Sequence, residues 1–546
     1  MKNFKDKVIY QIYPKSFNDT NHDGIGDLNG VTEKLDYLKK LGVDMLWLTP
    51  FFVSPQNDNG YDVANYYEID PIYGTLDDLQ RLIKEAKKRE IGLMFDMVFN
   101  HTSTHHEWFK KAMAGDPYYK DFYFFKKGQN HQPPTNWESK FGGNAWEYVE
   151  AFDEYYLHLY DVTQADLNWE NPNVVKEMTR ILNYWLEMGI TGFRFDVINV
   201  ISKESFEDDF EGVGKRFYTD CKKVNDYLRE LNEHSFGRCD DTITVGEMSA
   251  TTIKNCVRYS KPENHELDMT FNFHHLKVDY LNKEKWTLMP FDFMELKQLF
   301  NDWQIGMQEG GGWNALFWCC HDQPRIVSRF GNDKEYHRES AKMLATALHM
   351  MRGTPYIYQG EELGMTNAYF TDLKQYRDIE SINHFHILKN KGLKDEEIYA
   401  ILQSKSRDNA RTPMQWDNTL NAGFSDQPPW MEVNPNYLHI NAAAALQDND
   451  SIFYHYAKLI QLRKQYPVIQ EGLYEPLLED SKQVFAYLRR LESETLLVIN
   501  NFYAKEVTIH LDDIEGYQLL LSNYPSQSLK KELTLRPYES CVYYRK

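Results

Sequence analysis

The stretch "GFRFDVINVIS" (residues 192–202) reads as a buried strand that carries two charges. Phe193, Phe195, Val197, Ile198 and Val200 supply apolar side chains to both faces, as in a parallel sheet. Arg194 and Asp196 are two apart, so their side chains leave the strand on the same side. Burying a charge is costly unless it is paired and hydrogen-bonded. The conflict disappears if the strand ends at the mouth of a barrel, where charged side chains line a cleft.

Seven other short apolar runs support that reading. They are "VIYQIYP" (8–14), "MLWLTP" (45–50), "IGLMFDMVFNH" (91–101), "TITVGEM" (242–248), "LDMTFNF" (267–273), "ALFWCCHD" (315–322) and "TPYIYQGEE" (354–362). Amphipathic segments separate them. In "TLDDLQRLIKEAKKREIG", Leu76, Leu79, Leu82, Ile83 and Ala86 have helical spacing, with Gly92 as the expected stop. Eight strands alternating with helices predict an α/β fold, a (β/α)8 TIM barrel.

The interval after the third strand is too long for one helix and rich in Pro, Gly, Trp and Tyr. It predicts an inserted loop-rich domain at 102–168, with the barrel built from 1–101 and 169–465. "VFAYLRRL", "TLLVINNF" and "EVTIHL" predict a C-terminal antiparallel β-domain at 466–546.

The polar residues concentrate at strand ends. Asp96, Asn100 and His101 close the third, Arg194 and Asp196 the fourth, Glu247 the fifth, His321 and Asp322 the seventh. In a barrel these ends converge on the face that carries active sites. Arg194 with Asp196 alone could be a structural ion pair. Three carboxylates on three strands, with two histidines and an arginine, are hard to explain as packing. Paired carboxylates flanking a glycosidic bond are what glycoside hydrolysis requires.

Bulk properties narrow the class further. The chain has 546 residues, 42% hydrophobic and 26% charged, ordinary for a globular protein. A net charge of −20 argues against nucleic-acid or anionic-membrane partners. No apolar run approaches a membrane span, and the N-terminal lysines precede no apolar signal region. Cys221, Cys239, Cys256, Cys319, Cys320 and Cys541 form no CxxC pattern and read as reduced thiols of a cytoplasmic protein, expected to be a monomer.

"DMVFNH", "QADLN", "GFRFDV", "GEM" and "HDQPR", in that order, resemble the motifs of the α-amylase superfamily, glycoside hydrolase family 13. The resemblance implies a retaining glycosidase with Asp196 as nucleophile, Glu247 as general acid/base and Asp322 as third carboxylate. It makes His101, Arg194 and His321 ligands of the −1 sugar. No cofactor is implied for the chemistry. The acid role requires a raised Glu247 pKa, and Arg194 favours ionised Asp196. Where many relatives have Asn before His-Asp, this chain has Cys320.

"DNGYDV" (58–63) resembles the exo-acting glucosidase loop, with Asp58 on the far hydroxyls of a terminal glucose and Tyr61 stacked on its ring. The alternative is a surface turn at Asn59-Gly60. "SRDNARTPMQW" (406–416) resembles the same branch; either Arg407 or Arg411 reaches the sugar. "NDTNHDGIGD" (18–27) sets Asp19, Asn21, Asp23 and Asp27 in an EF-hand-like start, but the twelfth position is Gly30 rather than Glu. The family resemblance implies a structural Ca2+ or Mg2+ here, with the Ile25 carbonyl contributing; the alternative is an Asx-rich turn.

"PTNWESKFGG" (134–143), "ELDMTFNFHHLKVDY" (266–280) and "EKWTLMPFDF" (284–293) resemble the branch that cleaves trehalose 6-phosphate more closely than the oligo-1,6-glucosidases. His274, His275, Lys277, Lys283 and Lys285 form a basic segment after the sixth strand. A phosphorylated disaccharide would use Lys277 and Lys285; a solvated face is the ordinary alternative. Val197 resembles the α-1,6 and phosphotrehalose enzymes rather than the α-1,4 ones. A non-catalytic transporter partner of this architecture would lack catalytic carboxylates, and this chain has all three.

Overall fold

The computed structural model describes residues 4–130, 132–525 and 528–546. Eight parallel strands form the central sheet: β1 (Ile9–Ile12), β2 (Met45–Leu48), β3 (Gly92–Val98), β4 (Gly192–Asp196), β5 (Ile243–Glu247), β6 (Met269–Phe271), β7 (Ala315–Leu316) and β8 (Thr354–Tyr358). Their order is β6-β5-β4-β3-β2-β1-β8-β7. A parallel bridge between Thr270 and Asn314 joins β6 to β7 and closes the barrel. The eight apolar runs become strands because both faces are buried, one inside the barrel and one under helices.

The helix at Leu76–Lys88 shows how local sequence fits this frame. Thr75 and Asp78 make a reciprocal capping box, and Leu79, Leu82 and Ala86 are buried. It stops earlier than predicted: Glu90 takes a left-handed turn, and Gly92 opens β3 instead.

The strand in "GFRFDVINVIS" is also shorter than the apolar pattern suggests. β4 ends at Asp196, Val197 has φ 37°, and Ile198–Val200 form a 3-10 turn. A β-branched residue at positive φ is an outlier that surrounding structure must enforce. Such strain clusters at functional sites. Here it turns the chain sharply just after Asp196.

Residues 102–168 leave the barrel after β3. Their base is the antiparallel pair His101–Ser103 with Gln164–Asp166, and they carry a three-stranded sheet at Phe125–Lys126, Trp146–Val149 and Glu154–Leu157. Lys203, fully buried, pins this base. Its ammonium donates to Asn100 Oδ1 at 2.9 Å and the Val200 carbonyl at 2.8 Å, and pairs with Asp166 at 2.7 Å.

After the helices Ile452–Gln465 and Pro467–Glu471 come the antiparallel strands, starting at Leu473. Lys297, on the helix Phe293–Gly310, reaches across to the carbonyls of Leu478 (3.0 Å) and Ser481 (2.5 Å). Among the described residues, no helix is long and apolar enough to cross a membrane, and all six cysteines are free.

Candidate active site

Arg194 is the hub of the barrel mouth. One guanidinium nitrogen donates to Asp196 Oδ1 and to Asp96 Oδ1, both at 2.6 Å, and another contacts Glu247 Oε2. Contrary to the expectation of an open cleft around it, Arg194 is buried, 2% exposed, and does not line the cleft. Its charge is tolerated because Asp196 at the end of β4 and carboxylates from β3 and β5 surround it. Asp96 is fully buried and also accepts from Tyr61 Oη (2.9 Å) and Trp47 Nε1 (3.1 Å). Burial raises its pKa, against the Arg194 charge.

His321 and Asp322 lie beyond strand β7, not at its end, because β7 is only two residues long. Other contacts fix the loop. Gln11 Nε2 meets His321 Nδ1 at 2.8 Å, and Arg411 Nε donates to the His321 carbonyl at 2.9 Å. Asp322 Oδ1 accepts from Arg407 (3.1 Å) and Arg411 (3.0 Å), and Oδ2 lies 3.1 Å from His321 Nε2. Burial alone would raise its pKa; His321 and the two arginines outweigh that and hold it well below the usual carboxylate range. Burial lowers the pKa of both His101 and His321, against the carboxylates beside them, Asp166 and Asp196 for the first and Asp322 for the second. Cys320 is buried, and its sulfur accepts the Asp322 amide.

The 58–63 loop is not a free surface turn. Asp62 accepts from Ser54 Oγ and the amides of Asn57 and Asp58, which fixes the turn through Asn59 and Gly60. Gly60 has φ 102°, and a Cβ there would lie 2.7 Å from the Pro50 carbonyl oxygen. Tyr61 consequently lies flat on His321, centroids 5.1 Å apart and planes within 2°. His101 Nε2 is 3.0 Å from the Tyr61 carbonyl. Asp58 accepts from Gln164 Nε2 at 3.0 Å and lies 3.7 Å from Arg407. Burial pushes its carboxyl up to about 7 despite Arg407 and Arg411.

A cleft of about 300 Å3 opens beside these groups. Glu247, Asp322, Val197, Tyr160, Lys140, Lys277, Lys285 and Arg407 are among its lining residues. Of the two loop arginines, Arg407 lines it and Arg411 does not. Sequence reasoning missed the groups that hold Arg407. Asp378 Oδ1 binds it at 2.6 Å, and Glu380 lies at 3.5 Å. Arg407 and Arg411 hold Asp378 below the carboxylate range although burial opposes them.

The basic segment divides. His275 is buried, its Nε2 2.9 Å from the Phe317 carbonyl. Lys285 pairs with Glu380 at 2.6 Å, so its charge is already committed. Lys277 is exposed at the cleft and has no carboxylate partner among the described residues.

In the 18–27 loop, Asp19 accepts four hydrogen bonds, from the amides of Asn21, His22 and Gly24 and from Ser425 Oγ. Asp27 accepts four as well, from Thr20 N and Oγ1, Asn21 N and Gly30 N. Asn21 Oδ1 and Asp23 Oδ1 take the amides of Asp23 and Ile25. A carboxylate has about four acceptor sites, so an ion would have to replace some of these bonds.

Residues 11–472 match the α-amylase catalytic domain, and 484–542 match the α-amylase SusG C-terminal domain. The chain belongs to the α-amylase family. It is 58% identical to a trehalose-6-phosphate hydrolase of Bacillus subtilis, over 99% of this chain and 98% of that one. It is 47% identical to an oligo-1,6-glucosidase of Parageobacillus thermoglucosidasius, over 99% and 98%. The crystal structure of a mutant Bacillus licheniformis trehalose-6-phosphate hydrolase in complex with PNG superposes with a TM-score of 0.98. The two chains are 56% identical, with all of each covered. An α-amylase family glycosidase needs no cofactor for its chemistry.

Proposed function

We propose that the chain is a retaining, exo-acting α-glucosidase that hydrolyses trehalose 6-phosphate to glucose and glucose 6-phosphate. The observation that carries this reading is the full-length identity, higher to a trehalose-6-phosphate hydrolase than to an oligo-1,6-glucosidase. The free charge of Lys277 at the cleft supports it. Oligo-1,6-glucosidase activity is the competing reading.

The residues divide the work as follows. Asp58 and Arg407 hold the far hydroxyls of the terminal glucose, and Tyr61 stacks on its ring. His101, Arg194 and His321 line the same −1 subsite. Asp196 attacks the anomeric carbon while Glu247 protonates the departing oxygen, so the glycosidic bond breaks and glucose 6-phosphate leaves. Water then attacks the same carbon as Glu247 takes its proton, and Asp196 departs as carboxylate. Two inversions give retention. Asp322, held ionised by its arginines, binds sugar hydroxyls and stabilises the positive charge that develops. Glu247 has to carry a proton before it can donate to the leaving oxygen.

Lys277 and Lys285 give different expected results. Lys277→Ala should raise KM for trehalose 6-phosphate and spare an uncharged aryl α-glucoside. Lys285→Ala should weaken both, because Glu380 then loses its partner and Arg407 its support. Equal losses from Lys277→Ala on both substrates would assign that lysine to holding the loop.

A Ca2+ or Mg2+ at 18–27 would take oxygens from Asp19, Asn21, Asp23, the Ile25 carbonyl and Asp27. All are hard donors suited to these ions, although Asp19 and Asp27 would exchange amide partners for the cation. Chelation should then lower the melting temperature, since a ligand of the native state stabilises it. Elemental analysis without metal, together with an unchanged melting temperature on adding Ca2+ or Mg2+, would leave the loop as an Asx-rich turn.

A further inference from the structure

Lys140 stands in the cleft with no function assigned to it. It lies in the inserted domain, within "PTNWESKFGG", and reaches the barrel mouth. Its ammonium donates to Ser249 Oγ at 2.9 Å and Tyr160 Oη at 3.1 Å. Ser249 is two residues beyond Glu247. The rings of Tyr160 and Tyr218 lie 5.0 and 5.7 Å from the same ammonium. Among the described residues, no carboxylate lies within ion-pair distance of it. Lys203 and Lys285, by contrast, are each paired at 2.6–2.7 Å.

We infer that Lys140 is a specificity-determining residue that, with Lys277, binds the phosphate of the substrate. This deepens the proposed function and rests on it. Both lysines line the cleft that contains Glu247, one from the inserted domain and one from the segment after β6. A phosphate monoester carries close to two negative charges near pH 7 and several strong acceptor oxygens. It matches two ammonium groups that lack carboxylates better than a neutral sugar would. Ser249 and Tyr160 aim Lys140 without neutralising it.

The charge environment agrees. Burial pushes the Lys140 ammonium down to about 7. Lys215 and Lys203 add repulsion, which Asp166 and Asp196 only partly offset. Burial, and after it Lys215, depresses Lys277 as well. A dianion placed between them would relieve this repulsion and restore the charge on Lys140. Selectivity for the phosphorylated substrate should therefore decline as pH rises above about 7, as free Lys140 loses its proton.

The test is the ratio of kcat/KM for trehalose 6-phosphate to that for an aryl α-glucoside, measured in wild type, Lys140→Met and Lys140→Arg. Lys140→Met should lower the ratio at least tenfold and weaken inhibition by glucose 6-phosphate to a similar extent. Lys140→Arg, which keeps the charge, should recover part of both. A ratio unchanged in Lys140→Met would overturn the inference and leave Lys140 as a brace between the inserted domain and Ser249. If wild type itself shows no preference for the phosphorylated substrate over trehalose, the proposed function fails, not merely the role of Lys140.

Discussion

Asp196→Asn is expected to stay folded and to lower kcat on any α-glucoside by on the order of 10^4-fold or more, as loss of a covalent nucleophile does. An amide cannot form the glycosyl-enzyme ester, nor can it stabilise an oxocarbenium ion as a carboxylate does. The fold should survive because Arg194 keeps its 2.6 Å bond to Asp96, so its charge stays partnered. Steady-state kinetics on an aryl α-glucoside, with circular dichroism to verify folding, reads both halves. Activity within tenfold of wild type in a folded variant would remove Asp196 from the nucleophile's role.

Lys203→Met should produce the largest loss of stability. The substitution keeps the length of the side chain and removes the charge that joins Asp166 of the inserted domain to Asn100 and Val200 of the barrel. Asp166 would remain buried with no cation beside it. Breaking a buried pair on one side typically costs ~3–5 kcal/mol. Urea unfolding should show that loss, and limited proteolysis should cut the inserted domain first. A change below about 0.5 kcal/mol, the range of ordinary surface substitutions, would mean that water or a neighbouring group replaces the ammonium at little cost.

The barrel was legible because parallel strands buried on both faces must be nearly continuous apolar runs. Charged residues interrupt those runs toward the C-terminal half of the strands, where Asp96 and Arg194 are buried but paired with each other. The length of the strands was less legible. Nothing in "GFRFDVINVIS" marks Val197 as the turning point, since Val, Ile and Val suit a strand, yet its φ is 37°. His321 and Asp322 follow β7 in sequence but take their positions from Gln11, Arg407 and Arg411, which no local pattern links to them. Asp378 and Glu380 belong to a distant helix start and leave no motif.

Lys203 looks like any surface lysine in "ISKESF", although three oxygens surround it. Charge pairing was the least visible property. Lys277 and Lys285 are alike as letters, yet one is free and the other faces Glu380. Lys140 belongs to "PTNWESKFGG", but only its surroundings show that its charge has no carboxylate beside it among the described residues. The 18–27 loop has the opposite difficulty: alternating Asp and Asn serve Asx turns and hard cations equally well.

Substrate preference tests the central claim most directly. The purified protein should be given trehalose 6-phosphate, trehalose and isomaltose in parallel, with glucose and glucose 6-phosphate quantified at early times. The account predicts that trehalose 6-phosphate has by far the highest kcat/KM and yields the two products in equal amounts. A higher kcat/KM for isomaltose would contradict it and make the protein an oligo-1,6-glucosidase.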